Sequence, residues 1–308
     1  MLYLNPINME GDMMGVVVSV TNQKGGVGKT VTVSSLASAL TRQGYKVLSI
    51  NLDPQRNLDM VAGKGIAIPL GDKTTRSMLD VLRRDCSLED VIIPCDFGDL
   101  ARASNLLSQW TGRSLISRTE FESLEKDEVY KLIEERYSSG WGTDDHKVLK
   151  EIISSVRERY DYIFMDTNPS LTLLTINSLV AADYVLIPAF AEAASRDAIT
   201  ELWDTIRGLR AYNPDMQLQV AGILVTKFKP RNPFAKKYIQ VYKRMAQSMG
   251  GILFEQKIRE ATTVTEYITT QENLLSYDSY GNAALDYKKF ADEFTARIAV
   301  LERMKSHG

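Results

Sequence analysis

The residues of this sequence best suited to chemistry stand together in the stretch Lys24–Thr30, which reads Lys-Gly-Gly-Val-Gly-Lys-Thr. An apolar run, Val16–Val20, precedes it, and apolar residues at helical spacing follow it as far as Gly44. When a strand delivers a glycine-rich turn to a helix, the backbone N–H groups of both converge on one anion. The stretch therefore predicts a loop that binds phosphate, and a surface turn rich in glycine and lysine is the disfavoured alternative.

Two side chains of this loop have separate predicted roles at a nucleotide. Lys29 reaches the β- and γ-phosphates, and the hydroxyl of Thr30 binds Mg²⁺. The usual motif is G-x-x-x-x-G-K-[ST], and Gln23 occupies the position of its first glycine, so the loop is a variant with a second lysine at position 24. The predicted nucleotide contacts within it are Lys24, Gly25, Gly26, Val27, Gly28, Lys29, Thr30 and Val31.

Two aspartates follow runs that predict buried strands. Asp53 comes after Lys46–Asn51, and Asp166 ends the near-continuous apolar run Tyr160–Asp166. Ligands of open α/β sheets bind beyond the carboxyl ends of the strands, which is where both carboxylates would lie. Mg²⁺ prefers oxygen ligands, so Thr30, Asp53 and Asp166 are the predicted metal ligands. Taken alone, Asp166 could instead cap the helix that follows it.

The bulk composition is that of an ordinary globular protein, with 308 residues, 44% hydrophobic and 25% charged residues and a net charge of −2. Overall charge therefore predicts no nucleic-acid partner, and only a local patch could. Cys86 and Cys95 fit neither a disulfide framework nor a metal site, and they indicate a reducing cytosol. No apolar run approaches the roughly 18 residues of a membrane-spanning helix. Residues 1–13 lack the regions of a signal peptide and are expected to be a flexible extension without function.

Strands and helices alternate along the rest of the chain. This alternation predicts one α/β domain over residues 14–308, built on a doubly wound, mostly parallel sheet with helices on both faces. Within it, residues 105–145 are expected to be a variable helical stretch, whose acidic segment 118–138 is either solvated or a docking surface. The other predicted elements are weak helices at Ser77–Arg84 and Leu88–Ile92, strand Asp99–Ala103, helix Asp144–Arg159, strand Asp183–Pro188, helix Arg196–Tyr212, strand Leu218–Lys227, helix Asn232–Met249, strand Ile252–Phe254 and helices Ala261–Thr270 and Asn282–Met304.

Three motifs together resemble the ParA/MinD family of deviant Walker-type ATPases. They are Thr21–Thr30, Asp53-Pro54-Gln55 followed by Asn57, and Asp166–Leu171. The resemblance covers roughly residues 15–300, and the Asp-Pro-Gln triplet is similar to the small ParA/Soj partition ATPases. It implies a P-loop ATPase that uses ATP and Mg²⁺ and hydrolyses ATP slowly until a partner stimulates it.

The resemblance also implies roles for individual residues in a dimer of two ATP-bound protomers. Lys24, the family's signature lysine, would reach the partner's phosphates and stabilise transition-state charge, as an arginine finger does. Asp53 would orient or activate the attacking water, so Lys24 and Asp53 are the expected catalytic residues. Asp166–Ser170 would form the switch that senses the γ-phosphate. By analogy of position, the adenine is expected near Thr226 and Lys227.

Three residues depart from the family pattern. Asn51 stands where most relatives have an aspartate, and the missing charge is expected to weaken the Mg²⁺ shell while hydrolysis persists. Val31 replaces a second threonine at little cost, because Thr30 is the hydroxyl that faces the metal. Asn168 replaces a proline of the switch and is expected to loosen it.

A basic cluster lies between residues 225 and 260, where nine basic residues stand against Glu255 and Glu260, a local excess of +7. Its members are Lys227, Lys229, Arg231, Lys236, Lys237, Lys243, Arg244, Lys257 and Arg259. The resemblance implies that such residues bind duplex DNA without sequence preference, through phosphate neutralisation. The alternative is a solvated helix face.

The implied function is partition of plasmid or chromosomal DNA by a cytoplasmic, nucleoid-associated dimer, with a ParB-like adaptor that stimulates hydrolysis. The alternative is a MinD-like or other positioning ATPase that cycles on a membrane or carries a protein cargo. A membrane cycle requires an amphipathic C-terminal helix with a basic polar face. Acidic residues interrupt that helix, so packing on the sheet is favoured and no stable membrane association is expected. Its apolar positions are Phe290, Phe294, Ile298 and Leu301. A metal-cluster carrier of the same fold is disfavoured, because the chain lacks the paired cysteines.

Overall fold

Strands and helices alternate in the computed structural model, which describes residues 15–70, 72, 74–110 and 145–306. In those ranges the strands are β1 (Val16–Val20), β2 (Val47–Leu52), β3 (Ile92–Cys95), β4 (Gly98–Ala101), β5 (Tyr162–Thr167), β6 (Tyr184–Phe190), β7 (Gln219–Thr226) and β8 (Ile252–Leu253). The helices are α1 (Lys29–Arg42), α2 (Asn57–Met60), α3 (Met78–Arg83), α4 (Val148–Ser154), α5 (Leu173–Ala181), α6 (Ala193–Tyr212), α7 (Pro233–Ser248), α8 (Thr263–Thr270), α9 (Leu274–Tyr277) and α10 (Asn282–Ser306). Short 3₁₀ turns lie at Glu89–Val91, Asn105–Gln109 and Arg157–Arg159.

The eight strands of these ranges form one sheet in the order β3-β4-β2-β5-β1-β6-β7-β8. Neighbours pair in parallel, except that β3 and β4 are antiparallel. This confirms the predicted α/β domain with a mostly parallel sheet. The register aligns Asp166 of β5 with Val20 of β1 on one side and with Asn51 of β2 on the other. The carboxyl ends of β1, β2 and β5 therefore meet at one point of the sheet edge.

Two hydrophobic cores cover the two faces of the sheet. Along β1, Val17 packs into one core, whereas Val16 and Val18 pack into the other, as expected of a strand covered on both faces. Helices α3 to α7 line the first core, and α1, α2, α9 and α10 line the second. The apolar positions of α10 are buried in the second core: Phe290, Phe294, Ile298 and Leu301. The C-terminal helix thus packs on the domain, as the sequence favoured.

Some predicted elements differ from the structure. The helix predicted at Asp144–Arg159 is shorter, because α4 ends at Ser154 and a separate 3₁₀ turn follows. The weak helix predicted at Leu88–Ile92 is a 3₁₀ turn that leads into β3, a strand we did not predict because Pro94 interrupts its pattern. Helices α2 and α9 were also missed, since a single turn has no detectable period.

Other predicted segments cannot be compared. The proposed extension at residues 1–13 and the acidic helical segment 118–138 lie outside the described residues. The same holds for most of the variable stretch 105–145.

Candidate functional site

The glycine loop leaves β1 and enters α1 with an open backbone. Gly26 has φ +73° and Gly28 has φ +89°, a left-handed conformation that glycine adopts without strain. Gly28 is the N-cap residue of α1 and supplies no side-chain hydrogen bond to the first turn. A Cβ atom added at Gly25 or Gly26 would meet no other atom within 4 Å. The uncapped N–H groups of α1 therefore face a surface that an anion can approach.

Polar side chains fix the entry to this loop. The Nδ2 of Asn22 donates to the carbonyl of Pro188 at 2.7 Å, and its Oδ1 accepts from the N–H of Lys24 at 3.0 Å. Gln23, at the position of the motif's first glycine, donates to the hydroxyl of Thr205 on α6 at 3.3 Å. The variant residue thus ties the loop to a neighbouring helix. Sequence reasoning missed Asn22, although a polar residue directly after a buried strand was a usable signal.

The predicted adenine contacts lie at the end of β7. The hydroxyl of Thr226 is buried and donates to the carbonyl of Val27 at 2.8 Å, so it supports the loop from beneath. Lys227 is exposed, with φ +46°, and its Nζ lies 4.8 Å from the ring centroid of Phe190. Both residues are next to the loop, and their contact with adenine stays a prediction.

Lys29 folds back over its own loop. Its Nζ donates to the carbonyls of Asn22 at 3.1 Å and Lys24 at 3.2 Å. Burial lowers the pKa of this ammonium group, while the nearby carboxylates of Asp166 and Asp53 raise it. The lysine is thus held between the loop carbonyls and the two predicted metal ligands.

Asp166 is fully buried, and neither of its oxygens has a hydrogen-bond partner of ordinary geometry among the described residues. Burial, together with the nearby Asp53 carboxylate, raises the pKa of this carboxyl to about 7, although Thr30 and Lys29 oppose the increase. Asp53 is buried too, and desolvation raises its pKa although its Oδ1 accepts from the Gln55 N–H at 2.9 Å. An unpartnered buried carboxylate is costly unless a cation binds beside it.

The residues at this point fit Mg²⁺. Two carboxylates and the Thr30 hydroxyl supply the oxygen ligands that this ion prefers, and Mg²⁺ commonly completes its shell with water and phosphate oxygens. No group of three or more His, Cys, Asp or Glu residues suited to a metal occurs in the described ranges. A cation here would therefore depend on the nucleotide for part of its shell.

Buried hydroxyl groups connect the loop with the predicted switch. The Oγ of Ser19 lies 2.5 Å from the hydroxyl of Thr21 and 3.1 Å from that of Ser178 on α5. Thr167, at the start of the switch, donates to the carbonyl of Val20 at 3.1 Å. The ends of β1 and β5 and the helix after the switch therefore share one set of contacts, which the sequence did not predict.

Two of the departures from the family pattern have structural explanations. Asn168 lies with its Oδ1 3.1 Å from the hydroxyl of Thr175, which is also 2.8 Å from the carbonyl of Ser170. The side chain therefore contacts α5, and the expectation that it loosens the switch stays a prediction. Asn51 is buried and donates to the carboxyl group of Asp59, whose pKa burial raises to about 7.

Lys24 makes different contacts from Lys29. Its Nζ is paired with the carboxylate of Glu192, the N-cap residue of α6, and lies 5.6 Å from the ring centroid of Phe190. Side-chain exposure is 25% for Lys24 and 48% for Glu192, so the pair is at the surface. Glu192 is a site residue that sequence reasoning missed, because 168 positions separate it from its partner.

The structure divides the predicted DNA-binding residues into two groups. Some are engaged within the chain: Lys229 pairs with Glu260 at 2.9 Å, and Arg259 forms a two-point ion pair with Asp286 at 2.8 Å. Lys257 donates to a backbone carbonyl at 2.8 Å. The exposed members on or next to α7 are Arg231, Lys236, Lys237, Lys243 and Arg244.

A strand, an open glycine loop and a helix, with a lysine, a threonine and two carboxylates at the carboxyl ends of parallel strands, define a P-loop nucleotide-binding protein. A family model described as an AAA domain matches residues 15–218. The chain belongs to this family, in its ParA/MinD type of ATPases, which confirms the resemblance drawn from the motifs.

Two curated relatives illustrate the similarity. The chain is 31% identical over 287 residues to an uncharacterised protein of Pseudomonas putida, covering 92% of this chain and 96% of that one. It is 28% identical to the sporulation initiation inhibitor protein Soj of Bacillus subtilis, covering 92% of this chain and 99% of Soj.

Solved structures with the same fold include two whose names specify a nucleotide. An ATP complex of a McdA variant from Cyanothece has a TM-score of 0.69 at 20% identity, over 92% of this chain and 97% of that one. Cobyrinic acid a,c-diamide synthase from Mycobacterium smegmatis, with bound ADP and magnesium, has a TM-score of 0.66 at 25% identity, over 96% and 97%. In the part of our chain that the structure describes, no helix has the length and apolarity to cross a membrane.

Proposed function

We propose that this protein is an ATP hydrolase that dimerises on binding ATP and Mg²⁺, binds duplex DNA without sequence preference in that state and leaves the DNA on hydrolysis. Its cycle would drive partition of plasmid or chromosomal DNA. The observation that carries this proposal is the separation of the two loop lysines. Lys29 is held beside the carboxylates, whereas Lys24 rests at the surface on Glu192. A nucleotide pocket requires only the first, and the exposed position of the second supports a role toward another protomer.

The roles of the residues follow from their contacts. The N–H groups of the loop and the N-terminus of α1 would hold the phosphates, with Lys29 adding positive charge. Thr30 and Asp166 would bind Mg²⁺, which neutralises charge on the β- and γ-phosphates when present. Gln55 fixes one oxygen of Asp53, and this carboxylate would orient the attacking water.

Lys24 would leave Glu192 and add positive charge at the partner's phosphates as negative charge develops there. Opening the Lys24–Glu192 ion pair costs little free energy, because ion pairs exposed to water contribute about 1 kcal/mol or less to stability. Dimerisation would therefore cost little at this point.

DNA binding is proposed for the exposed basic residues of α7 and the turn before it. The basic residues of α7 lie on the side of the helix opposite its buried residues, so their side chains share one surface. The buried residues are Ala235, Tyr242 and Ala246. Phosphate neutralisation by such a surface supplies affinity without reading sequence. The proposal includes a ParB-like adaptor that stimulates hydrolysis and a cytoplasmic, nucleoid-associated location. The burial of the apolar positions of α10 does not favour the membrane alternative.

The test combines two measurements on the purified chain. Light scattering should show a dimer with ATP and Mg²⁺ and a monomer with ADP, and duplex DNA of arbitrary sequence should change the rate of ATP hydrolysis. Lys29→Ala serves as the control that binds nucleotide poorly. A protein that stays monomeric with ATP and hydrolyses it at a rate indifferent to DNA would contradict the partition cycle. ATP-dependent sedimentation with liposomes would favour the membrane alternative.

A further inference from the structure

We propose that Asp59 is a positioning residue for the turn that carries Asp53, and that it acts through Asn51. This inference rests on the ATP hydrolysis proposed above. None of the motifs that identify the family includes Asp59, which stands on the single-turn helix α2.

The four groups involved form a continuous chain of hydrogen bonds. The N–H of Asp53 donates to Oδ1 of Asn51 at 3.0 Å. The Nδ2 of Asn51 donates to Oδ1 of Asp59 at 2.6 Å. The other oxygen of Asp59 accepts from the N–H of Ala103 at 3.0 Å. One carboxylate thereby ties the end of β2 to α2 and to the segment that leaves β4.

The groups in this series of hydrogen bonds are buried, so each depends on its partner within the protein. Asn51 and Asp59 are 0% exposed, so water does not replace a lost partner. Burial raises the pKa of the Asp59 carboxyl to about 7, although its hydrogen bonds from Asn51 and Ala103 and the charges of Arg102 and Arg56 oppose the increase. The guanidinium groups of Arg56 and Arg102 donate to the carbonyls of Ile68 and Ile66. The Asp59 carboxyl is therefore the centre of a small buried network under the Asp53 turn.

The pattern of donors and acceptors fixes the amide orientation of Asn51. At one end of the chain the Asp53 N–H requires an acceptor, and at the other the Ala103 N–H requires an acceptor. One amide and one carboxylate between them satisfy every contact. Two amides leave two N–H groups facing each other, and two ionised carboxylates leave two oxygens facing each other. Both arrangements are costly in a buried site.

Exchanging the two residue types restores a complete chain. With Asn51→Asp and Asp59→Asn together, the carboxylate at position 51 accepts from the Asp53 N–H and from the amide at position 59. The carbonyl oxygen of that amide accepts from the Ala103 N–H. The net charge of the network is unchanged, so Arg56 and Arg102 keep their counter-charge.

The experiment compares Asn51→Asp, Asp59→Asn and the exchanged double variant with the wild type. Asp59→Asn should lower kcat by about tenfold, the equivalent of one lost buried hydrogen bond, with little change in KM. Asn51→Asp should do the same at a pH high enough that its two carboxyl groups share no proton. The double variant should return kcat to within about threefold of the wild type. Affinity for a fluorescent ADP analogue should be unchanged throughout, because none of these three hydrogen bonds involves a residue of the glycine loop.

A matched control separates positioning from loss of stability. Asp80 caps α3 by accepting from the N–H and hydroxyl of Ser77, away from the Asp53 turn. Asp80→Asn should lower Tm without lowering kcat. The inference is overturned if the double variant is as slow as the single variants, or if Asp80→Asn reduces kcat equally at a similar Tm. A wild-type protein that hydrolyses no ATP overturns the proposed function instead, and the Tm of the double variant then still decides whether the chain of hydrogen bonds exists.

Discussion

Lys24 is paired with Glu192 at the surface of the protomer, although the two residues belong to the glycine loop and to the start of α6. The contact gives the signature lysine a defined position in the absence of a partner. Because the pair is partly exposed, it opens at little energetic cost. The pairing therefore holds Lys24 near the nucleotide site in a contact that opens readily.

Substitution of Lys24 should separate hydrolysis from nucleotide binding. Lys24→Ala is expected to retain affinity for an ATP analogue better than Lys29→Ala does, because only Lys29 is held beside the carboxylates. Hydrolysis by the dimer should be lost in both. The measurements are a binding titration and a steady-state ATPase rate. Glu192→Gln is the matched control, since it removes the resting partner of Lys24 and should leave hydrolysis intact. Wild-type hydrolysis by Lys24→Ala would remove the cross-site role and weaken the proposed cycle.

Asp166→Asn should stabilise the nucleotide-free protein while abolishing its response to Mg²⁺. The pKa of the Asp166 carboxyl is raised from 3.8 to about 7, so folding opposes its ionisation. That penalty is absent below the unfolded pKa and fully present above the folded one. The gain in Tm should thus be larger at about pH 8, on the order of 2–4 °C, than at about pH 4.

Mg²⁺ provides the contrast in the same thermal-melting series. Adding it with ADP should raise the Tm of the wild type and not that of Asp166→Asn. Equal stabilisation of both proteins by Mg²⁺ would exclude Asp166 as a ligand.

The basic surface of α7 should account for DNA retention. Lys236→Glu/Lys237→Glu is expected to reduce ATP-dependent binding of duplex DNA at low salt by tenfold or more, and to reduce the slope of log K against log salt by about two. Fluorescence anisotropy with a labelled duplex of arbitrary sequence measures both. The control, Lys64→Glu/Lys150→Glu, changes the net charge equally at two exposed lysines outside the cluster. Unchanged retention by the α7 variant would show that this surface does not bind DNA.

Tyr287→Phe should lower stability without altering chemistry. The hydroxyls of Tyr287 on α10 and Thr32 on α1 lie 3.0 Å apart, and both side chains are buried. Removing one leaves the other without a partner, which costs about 1–2 kcal/mol, or roughly 2–4 °C in Tm. Tyr280→Phe is the comparison, because Tyr280 is 88% exposed and its change should stay within about 0.5 kcal/mol. If Tyr287→Phe is fully folded and still has a lower kcat, this contact has a role beyond packing.

The strand, loop and helix at the phosphate site could be predicted because their signals are local. Glycine spacing, an apolar run before it and a helical period after it all occur within about thirty residues of Val16. The positions of Asp53 and Asp166 could also be predicted, since parallel strands bring their carboxyl ends to one edge of the sheet.

Most partners of these residues could not be predicted, because they come from distant segments. Glu192 at the start of α6 and Pro188 of β6 reach the loop, and no local pattern marks them for that purpose. Thr226 of β7 was expected near the nucleotide, but its hydrogen bond to the loop was not. The contact of Asn51 was missed for the same reason. Its replacement of an aspartate suggested only a missing charge, whereas its amide donates to the Asp59 carboxyl eight positions away.

The two borders of the sheet limit how copies of this protein can associate. One border strand, β3, contains Pro94, which has no backbone N–H to offer, and the other, β8, is two residues long. Unpaired strands are templates for adding further strands, and both features blunt that tendency. Among the residues that the structure describes, the sheet therefore offers little template for edge-to-edge association, and contacts between crowded copies are expected through helices or loops.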